Sequence, residues 1–151
     1  MKIEDEIPGH YRNEYHKGAI NLMYTVKKLS YGFLQMLKTH GLTEPQYKIL
    51  RVLRGFRFGG PSSIGFIRAR MLDKSSDVSR LVEKLFEKGY IDRKENLVDR
   101  RQKEVEITQK GLDLLAGMDD CEQKTDTLLN NLEPREVQEL NRLLDKIREK
   151  E

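Results

Sequence analysis

Apolar side chains recur along most of this chain at spacings of three and four residues, which is the period of an amphipathic helix. Over residues 15–40 the apolar positions step by four, three, four and three, and they are Leu22, Val26, Leu29, Phe33 and Met36. This stripe predicts one long helix that Gly41 ends. Residues 1–14 are polar and contain Pro8 and Gly9, so we expect an irregular arm there.

Two shorter helices are predicted next. Thr43 and Gln46 stand in the reciprocal positions of a capping box, which predicts a helix from there to about Arg54. A glycine-containing loop follows, and Ser62 or Ser63 is expected to cap a third helix. The apolar side chains expected to face inward are Tyr47, Ile49, Leu50, Leu53, Ile64, Ile67 and Met71.

A fourth helix, predicted over residues 75–87, has the most regular apolar stripe. Its inward positions are Val78, Leu81, Val82, Leu85 and Phe86. Ser75 or Ser76 is expected to cap its first turn, and Gly89 to end it in the left-handed conformation. The opposite face is polar and carries Asp77, Arg80, Lys84 and Glu87.

Two short strands, over residues 90–93 and 104–108, are predicted directly after that helix, with the basic segment 99–103 between them. A helix followed at once by a basic β-hairpin is typical of a winged helix-turn-helix. There the helix enters the DNA major groove, and the hairpin lies along the neighbouring backbone or minor groove. Thr108 is then expected to cap one long helix that reaches Leu132, and Pro134 to open a last helix.

Charge is distributed unevenly along the 151 residues. The net charge is +3 overall, with +5 over residues 1–60, +3 over residues 61–110 and −5 over residues 111–151. This asymmetry is expected when one end of a protein faces phosphates and the other does not.

Several classes of protein are disfavoured by composition and motifs. Cys121 is the only cysteine, so no intrachain disulfide can form, and its acidic neighbours argue against a redox-sensing thiol. The histidines His10, His16 and His40 are scattered, so we expect no metal site and no cofactor. No catalytic motif and no apolar run long enough for a membrane span is present. The expectation is a soluble, cytoplasmic protein that is not an enzyme and has no membrane partner.

Five short motifs, in this order, carry a resemblance to a known family. They are Leu42-Thr43-x-x-Gln46, Ser76-x-Val78-Ser79-Arg80-Leu81-Val82-x-x-Leu85, Lys88-Gly89-Tyr90-Ile91-x-Arg93, Asp99-Arg100-Arg101, and Val105-x-Ile107-Thr108-x-x-Gly111. From about residue 42 to residue 147 the chain resembles the MarR (multiple antibiotic resistance regulator) transcription factors. The resemblance implies a mainly α fold with a small β-hairpin wing (α+β), a winged helix-turn-helix with N- and C-terminal dimerisation helices.

The resemblance also implies an interface with double-stranded DNA. In it, Asp99 braces Arg101, which enters the minor groove, while Arg100 and Lys103 contact phosphates. Arg80 has the best reach for a base edge, and Asp77 either accepts from cytosine, positions Arg80 or Lys84, or turns away from DNA. The candidate DNA-binding residues are Ser63, Ser75, Ser76, Asp77, Ser79, Arg80, Lys84, Asp99, Arg100, Arg101 and Lys103.

A single domain over residues 1–151 is expected, with a winged DNA-binding lobe at about 42–110 and a helical dimerisation region formed by about 10–40 and 111–151. The candidate dimerisation residues are Leu128, Leu132, Val137, Leu140, Leu144 and Ile147. The resemblance also implies a small aromatic or anionic effector. Candidates for its pocket are Tyr11, Arg12, Tyr15, Tyr24 and Tyr31, although Tyr24 and Tyr31 equally suit core or dimer packing.

The function implied is a sequence-specific, homodimeric DNA-binding transcription regulator that acts on a pseudo-palindromic operator. A repressor released by a small-molecule effector is the favoured form. The alternative is a winged-helix protein-interaction module without specific DNA binding, which would be favoured if Asp77 and Glu83 made the recognition face acidic.

Overall fold

The structure is a computed structural model that describes residues 1–73, 77–120, 123 and 127–149. The predictions for Ser75, Ser76 and Cys121 concern residues outside these ranges. Within the described residues the helices, α1 to α7 in chain order, are Ile3–Glu6, Glu14–Thr39, Glu44–Phe56, Ile64–Ala69, Val78–Glu87, Gln109–Ala116 and Pro134–Arg148. The strands β1 to β3 are Ser62–Ser63, Ile91–Glu95 and Lys103–Ile107, and short 3₁₀ turns occupy Arg57–Gly59 and Thr127–Leu129.

Helices α3, α4 and α5 and the small sheet enclose one hydrophobic core. The sheet is antiparallel with the strand order β1-β3-β2, so β3 lies in the centre. The side chains with no exposed surface at its centre are Ile49, Leu50, Ile67, Val78, Leu85 and Val105. This arrangement is a winged helix-turn-helix, and the predicted fold class is confirmed.

The local signals for helix ends are confirmed where they depend on neighbouring residues. Thr43 Oγ1 accepts from the Gln46 N–H, and the Gln46 side chain accepts from the Thr43 N–H, which completes the capping box. Ser63 caps α4 by accepting from the Phe66 N–H at 3.1 Å. Gly41 and Gly89 have φ angles of 70° and 79°, the left-handed conformation expected at these helix ends.

The sequence predicted an irregular arm over residues 1–14, but part of this segment is helical. Residues Ile3–Glu6 form α1, and Ile3 is buried. Glu4 forms an ion pair with Lys17 of α2, and Glu6 accepts from the hydroxyl of Tyr24 and from Lys28. These contacts join residues at least 13 positions apart, so helical periodicity gives no sign of them.

The long helix predicted from Thr108 to Leu132 is also wrong. Thr108 does cap it, accepting from the Gly111 N–H at 3.2 Å, but α6 ends at Ala116. The Gly117 N–H still donates to the Asp113 carbonyl four residues back, but the Met118 N–H donates to the Leu115 carbonyl three residues back, which is a tightened helix end. Gly117 at this point favours termination because glycine is about 1 kcal/mol less favourable than alanine inside a helix. Leu128 lies in a 3₁₀ turn.

Candidate nucleic-acid interface

The N-terminus of α5 is capped by Asp77, and the prediction of a serine cap is corrected. Asp77 Oδ1 accepts from the Arg80 N–H at 3.2 Å, and the helix proper begins at Val78. An aspartate is as good an N-cap as serine, and its negative charge also interacts favourably with the helix dipole. The carboxylate therefore caps α5, a role that was not among the three alternatives stated for this residue.

The polar face of α5 is available to a ligand. Ser79, Arg80 and Lys84 are exposed, and neither cation forms an ion pair with another residue in the described part of the chain. Glu83 is instead paired with Arg93 of β2, and Glu87 is exposed at the C-terminal end of the helix. The face therefore presents Arg80 and Lys84, while Asp77 and Glu83 have partners within the protein.

The turn between β2 and β3 is built by two short polar side chains. Asn96 Oδ1 accepts from the N–H groups of Val98 and Asp99 at 2.8 and 3.1 Å. Asp99 Oδ1 in turn accepts from the Arg101 N–H at 3.0 Å. Such side-chain-to-backbone bonds are how Asn and Asp stabilise turns. Asn96 was missed by sequence reasoning, although an Asn two residues before an apolar tip is a recognisable turn signal.

Asp99 braces the main chain of Arg101, whereas a brace on its side chain was expected. Among the described residues the Arg101 guanidinium has no ion-pair partner, and Arg100, Arg101 and Lys103 are all exposed. The turn is thus fixed while its cations extend into solvent. Leu97 and Val98, also at the tip, are almost fully exposed.

A groove of about 370 Å³ separates α5 from this wing. Its lining brings together three elements that are distant in sequence. Ser63 comes from the start of α4, Ser79 from α5, and Arg101 and Lys103 from the wing. Eight of the eleven predicted DNA-binding residues lie on α5, at its cap or on the wing that faces it: Asp77, Ser79, Arg80, Lys84, Asp99, Arg100, Arg101 and Lys103. Ser63 also lines the groove, while Ser75 and Ser76 lie outside the described residues.

The base of the wing is held to the core by Thr108 and Gly111. Thr108 donates its N–H to the Tyr90 carbonyl at 3.0 Å and its hydroxyl to the Gly89 carbonyl at 2.7 Å. Gly111 is buried so closely that a Cβ atom there would lie 2.4 Å from the Tyr90 carbonyl oxygen. The wing therefore extends from a rigid base.

The candidate effector residues are spread along the N-terminal region. Tyr11 donates to the Ile7 carbonyl at 2.7 Å, and Tyr24 donates to Glu6 at 2.5 Å, so both hold the N-terminal segment. Tyr15 and Tyr31 are 91% and 66% exposed, and Arg12 is exposed too. The acidic contact raises the pKa of Tyr24. Tyr11 and Tyr24 are therefore engaged in contacts within the N-terminal region.

The candidate dimerisation residues lie on α7 and just before it. No residue of α7 is buried; Val137, Leu140 and Leu144 are half-buried, and Ile147 is 68% exposed. Leu128 is 41% exposed, and Leu132 is half-buried. The predicted apolar stripe therefore exists but lacks full cover within the chain.

Neither a metal-ligand cluster nor a membrane-spanning helix is found in the described part of the chain. No group of three or more His, Cys, Asp or Glu side chains there converges as metal ligands would. None of the helices described has the length and apolar character that crossing a bilayer requires.

Comparison with known sequences identifies one family. The profile of the MarR family matches residues 42–103, which include the helix-turn-helix and most of the wing. The HTH-type transcriptional repressor IacR of Pseudomonas putida is 29% identical over 112 residues. That match covers 74% of this chain and 65% of IacR, so it spans slightly less than two-thirds of that relative.

Solved structures share the fold over most of the chain. The Staphylococcus aureus MepR–DNA complex has a TM-score of 0.76 at 21% identity, covering 85% of this chain and 94% of MepR. Bordetella bronchiseptica BpsR has a TM-score of 0.68 at 23% identity, covering 88% of this chain and 99% of BpsR. At these identities the likeness establishes the fold.

Members of this family regulate transcription and are not enzymes. The profile covers the cap of α3, the helix α5 and the wing, which are the elements that build the groove described above. Sequence profile, repressor relative and winged fold agree: residues 42–103 match the MarR family, and the chain is similar to the winged helix-turn-helix transcription regulators of that family.

Proposed function

We propose that this chain is a homodimeric repressor that binds double-stranded DNA at a pseudo-palindromic operator and is released by a small-molecule effector. The observation that carries the proposal is a set of exposed cations on the two elements that flank one groove: Arg101 and Lys103 line the groove from the wing, and Arg80 and Lys84 are exposed on α5. Helix α5 would lie in the major groove with Arg80 toward base edges, and Arg101 would enter the neighbouring minor groove.

The distribution of charge on the exposed face of α5 favours DNA binding and argues against an acidic, protein-binding face. Asp77 is engaged as a helix cap, and Glu83 is paired with Arg93. Both carboxylates are thereby kept from opposing the phosphates. An acidic face made by Asp77 and Glu83 would have supported the alternative function, a winged-helix module that works only through protein contacts. Both carboxylates instead have partners within the protein.

A homodimer is supported by the exposed apolar side chains of α2 and α7. Leu143 and Ile147 of α7 are exposed, and the exposed large apolar residues on α2 are Tyr15, Leu22, Met23, Val26, Tyr31 and Leu34. A two-fold axis through these helices would place two copies of α5 side by side. Dimeric helix-turn-helix proteins read half-sites separated by about one helical turn, roughly 34 Å.

Repression and effector release are supported by the relatives. IacR is named as a transcriptional repressor, and DNA binding by BpsR is regulated by 6-hydroxynicotinic acid. In this chain a largely apolar cavity of about 330 Å³ lies between α2, α3 and the segment after α4, and its lining includes Phe33, Tyr47, Lys48, Arg51 and Met71. The rings of Phe33 and Tyr47 suit an aromatic ligand, and Lys48 can pair with a carboxylate on it. Glu44 and Asp73 line the same cavity, so its lining has no net charge. This cavity is a better candidate effector site than the dispersed tyrosines.

Fluorescence anisotropy with a labelled duplex taken from upstream of the protein's own gene tests DNA binding. We expect specific binding that weakens steeply with salt, since each phosphate contact adds about 0.9 to the slope of log K against log[salt]. Arg101→Ala should weaken binding at least tenfold, whereas Arg135→Ala on α7, with the same loss of charge, should not. Equal, weak binding of both variants to any DNA would contradict the proposal.

The effector part is tested on the same complex with 6-hydroxynicotinic acid as the probe. Release of the duplex at a lower ligand concentration in wild type than in Lys48→Gln is the expected result, because the substitution removes a cation from the cavity. Lys38→Gln, an exposed lysine on α2, is the matched control. A lack of release leaves the DNA-binding result intact and removes this effector class.

A further inference from the structure

Arg93 lies on the face of β2 that points toward the hydrophobic core. It pairs with Val105 across the β2–β3 ladder, and Val105 is completely buried. Ile91, two residues earlier and therefore on the same face of the strand, is 1% exposed. A charged side chain at such an inward position needs partners within the protein.

Those partners both lie on α5. The Arg93 guanidinium donates to the Glu83 carboxylate, and its Cζ lies 4.5 Å from the centroid of the Phe86 ring. Glu83 and Phe86 are three residues apart and so are neighbours on the helix surface. A planar guanidinium can hydrogen-bond through its edge while its face stacks on an aromatic ring, which a lysine cannot do.

The three residues form a bridge between the recognition helix and the strand that leads to the wing tip. The turn after α5 already ties the near end of β2, where Tyr90 N–H donates to the Leu85 carbonyl and Tyr90 accepts from Thr108. The bridge adds a second point of attachment farther along β2. It also lines the groove, since Glu83 and Arg93 lie there together with Arg101.

We infer that the Glu83–Arg93–Phe86 bridge is a positioning element for DNA binding. It holds the wing at the separation from α5 that lets α5 and Arg101 engage the major and minor grooves of one duplex at once. Arg93 acts through the wing, and its charge is used by Glu83 instead of a phosphate. This inference rests on the proposed DNA binding.

Glu83→Gln is the variant that distinguishes positioning from direct contact. If Arg93 bound a phosphate, removing its acidic partner would leave DNA affinity unchanged or increase it, because a competing negative charge would be gone. If the bridge positions the wing, Glu83→Gln should weaken operator binding roughly tenfold, as Arg93→Gln should. Reversing the pair, with Glu83→Arg and Arg93→Glu together, should restore most of the affinity.

The Arg101→Ala background gives the second readout. With the tip arginine removed, the position of the wing matters less, so adding Arg93→Gln should lower affinity by less than about twofold. Fully multiplicative losses in the double variant would overturn the inference, as would wild-type binding by Glu83→Gln. Thermal melts identify any variant that fails to fold, and Glu83→Gln, which changes a half-buried surface residue, keeps the test available in that case.

Failure of the inference is distinguishable from failure of the proposed function. Wild-type protein that binds the operator and loses affinity on Arg101→Ala, but is indifferent to Glu83→Gln, refutes the bridge alone. Wild-type protein without specific binding refutes the proposed function, and the bridge role falls with it.

Discussion

The winged unit and the flanking helices differ in how far their apolar side chains are buried. In the winged unit, α3, α4, α5 and β3 bury Leu50, Ile67, Leu85 and Val105 completely. Helix α7 also has a regular apolar stripe, yet none of its residues is buried, and on α2 only Leu37 is buried. Two stretches with the same periodicity thus have opposite outcomes within one chain.

Amphipathic periodicity thus predicts a buried face without indicating which molecule buries it. The winged unit closes its own core, whereas the stripes of α2 and α7 are left largely uncovered by the described part of the chain. Exposed apolar surface of this kind marks interaction sites. The proposed dimer assigns the cover to a second copy, and the following substitutions test the difference between the two regions.

The largest effect is expected for Gly111→Ala in the winged unit. Its Cβ would lie 2.4 Å from the Tyr90 carbonyl oxygen and 2.7 Å from Ile107 Cγ1, so the backbone beneath the wing must move. We expect a loss of about 3 kcal/mol in the free energy of unfolding, measured by chemical denaturation at fixed protein concentration. Gly117→Ala is the control, because its Cβ would meet nothing closer than 3.5 Å. Equal stability of the two variants would refute the close packing.

Substitutions on α7 should spare folding and affect assembly. Leu143 and Ile147 are 44% and 68% exposed, so replacing both with glutamate removes little burial within the chain. If a second copy covers them, the charges are placed in an apolar interface, and the dimer should dissociate at concentrations where wild type remains dimeric. Analytical ultracentrifugation should then report the 17.7 kDa monomer. Gln138→Glu, on an exposed position of the same helix, should leave the mass at twice this value.

Asp77→Ala separates a helix cap from a base contact, with a smaller expected effect. Losing the bond from Asp77 Oδ1 to the Arg80 N–H should lower stability by about 1 kcal/mol. Asp77→Asn keeps an oxygen acceptor and should recover most of that loss. If Asp77 also accepted from cytosine on DNA, the asparagine variant would be stable but weak in operator binding. Parallel melting and anisotropy measurements on both variants resolve the two roles.

The features predictable from sequence are those that depend on a few neighbouring residues. The capping box of Thr43 and Gln46 and the left-handed Gly41 and Gly89 needed no knowledge of the rest of the fold. The same local reasoning chose a serine cap for α5 because it could not rank adjacent Ser and Asp candidates, and Asp77 caps the helix in the structure.

What could not be predicted depends on contacts between distant residues. Arg93 looked like an ordinary strand cation until the sheet register placed it beside buried Val105 and the fold brought Glu83 to it. The short strand β1 exists because Ser62 pairs with Val105, 43 residues later, and two residues leave no periodicity to detect. The cations of the site could therefore be identified from the sequence, whereas the shape of the groove could be seen only in the structure.

The smallest effect concerns α1, whose attachment to α2 depends on two carboxylates. A hydrogen bond from Lys17 lowers the pKa of Glu4, and hydrogen bonds from Tyr24 and Lys28 lower the pKa of Glu6, both below the ordinary value of 4.5. A depressed pKa contributes stability that is present above the ordinary value and lost as the pH falls through the folded-state value. Segment α1 should therefore detach in acid before the winged unit unfolds.

The buried side chain of Ile3 reports this detachment, because release would expose it. We expect the NMR methyl shifts of Ile3 to change as the pH falls below about 4.5, while those of buried Leu85 stay constant over the same range. Replacing Glu4 and Glu6 together by glutamine should remove the transition. Glu106→Gln, an exposed carboxylate on β3, should leave it in place. Simultaneous changes at Ile3 and Leu85 would mean that α1 and the winged unit unfold as one unit. That result would contradict the expected difference in acid stability between α1 and the winged unit.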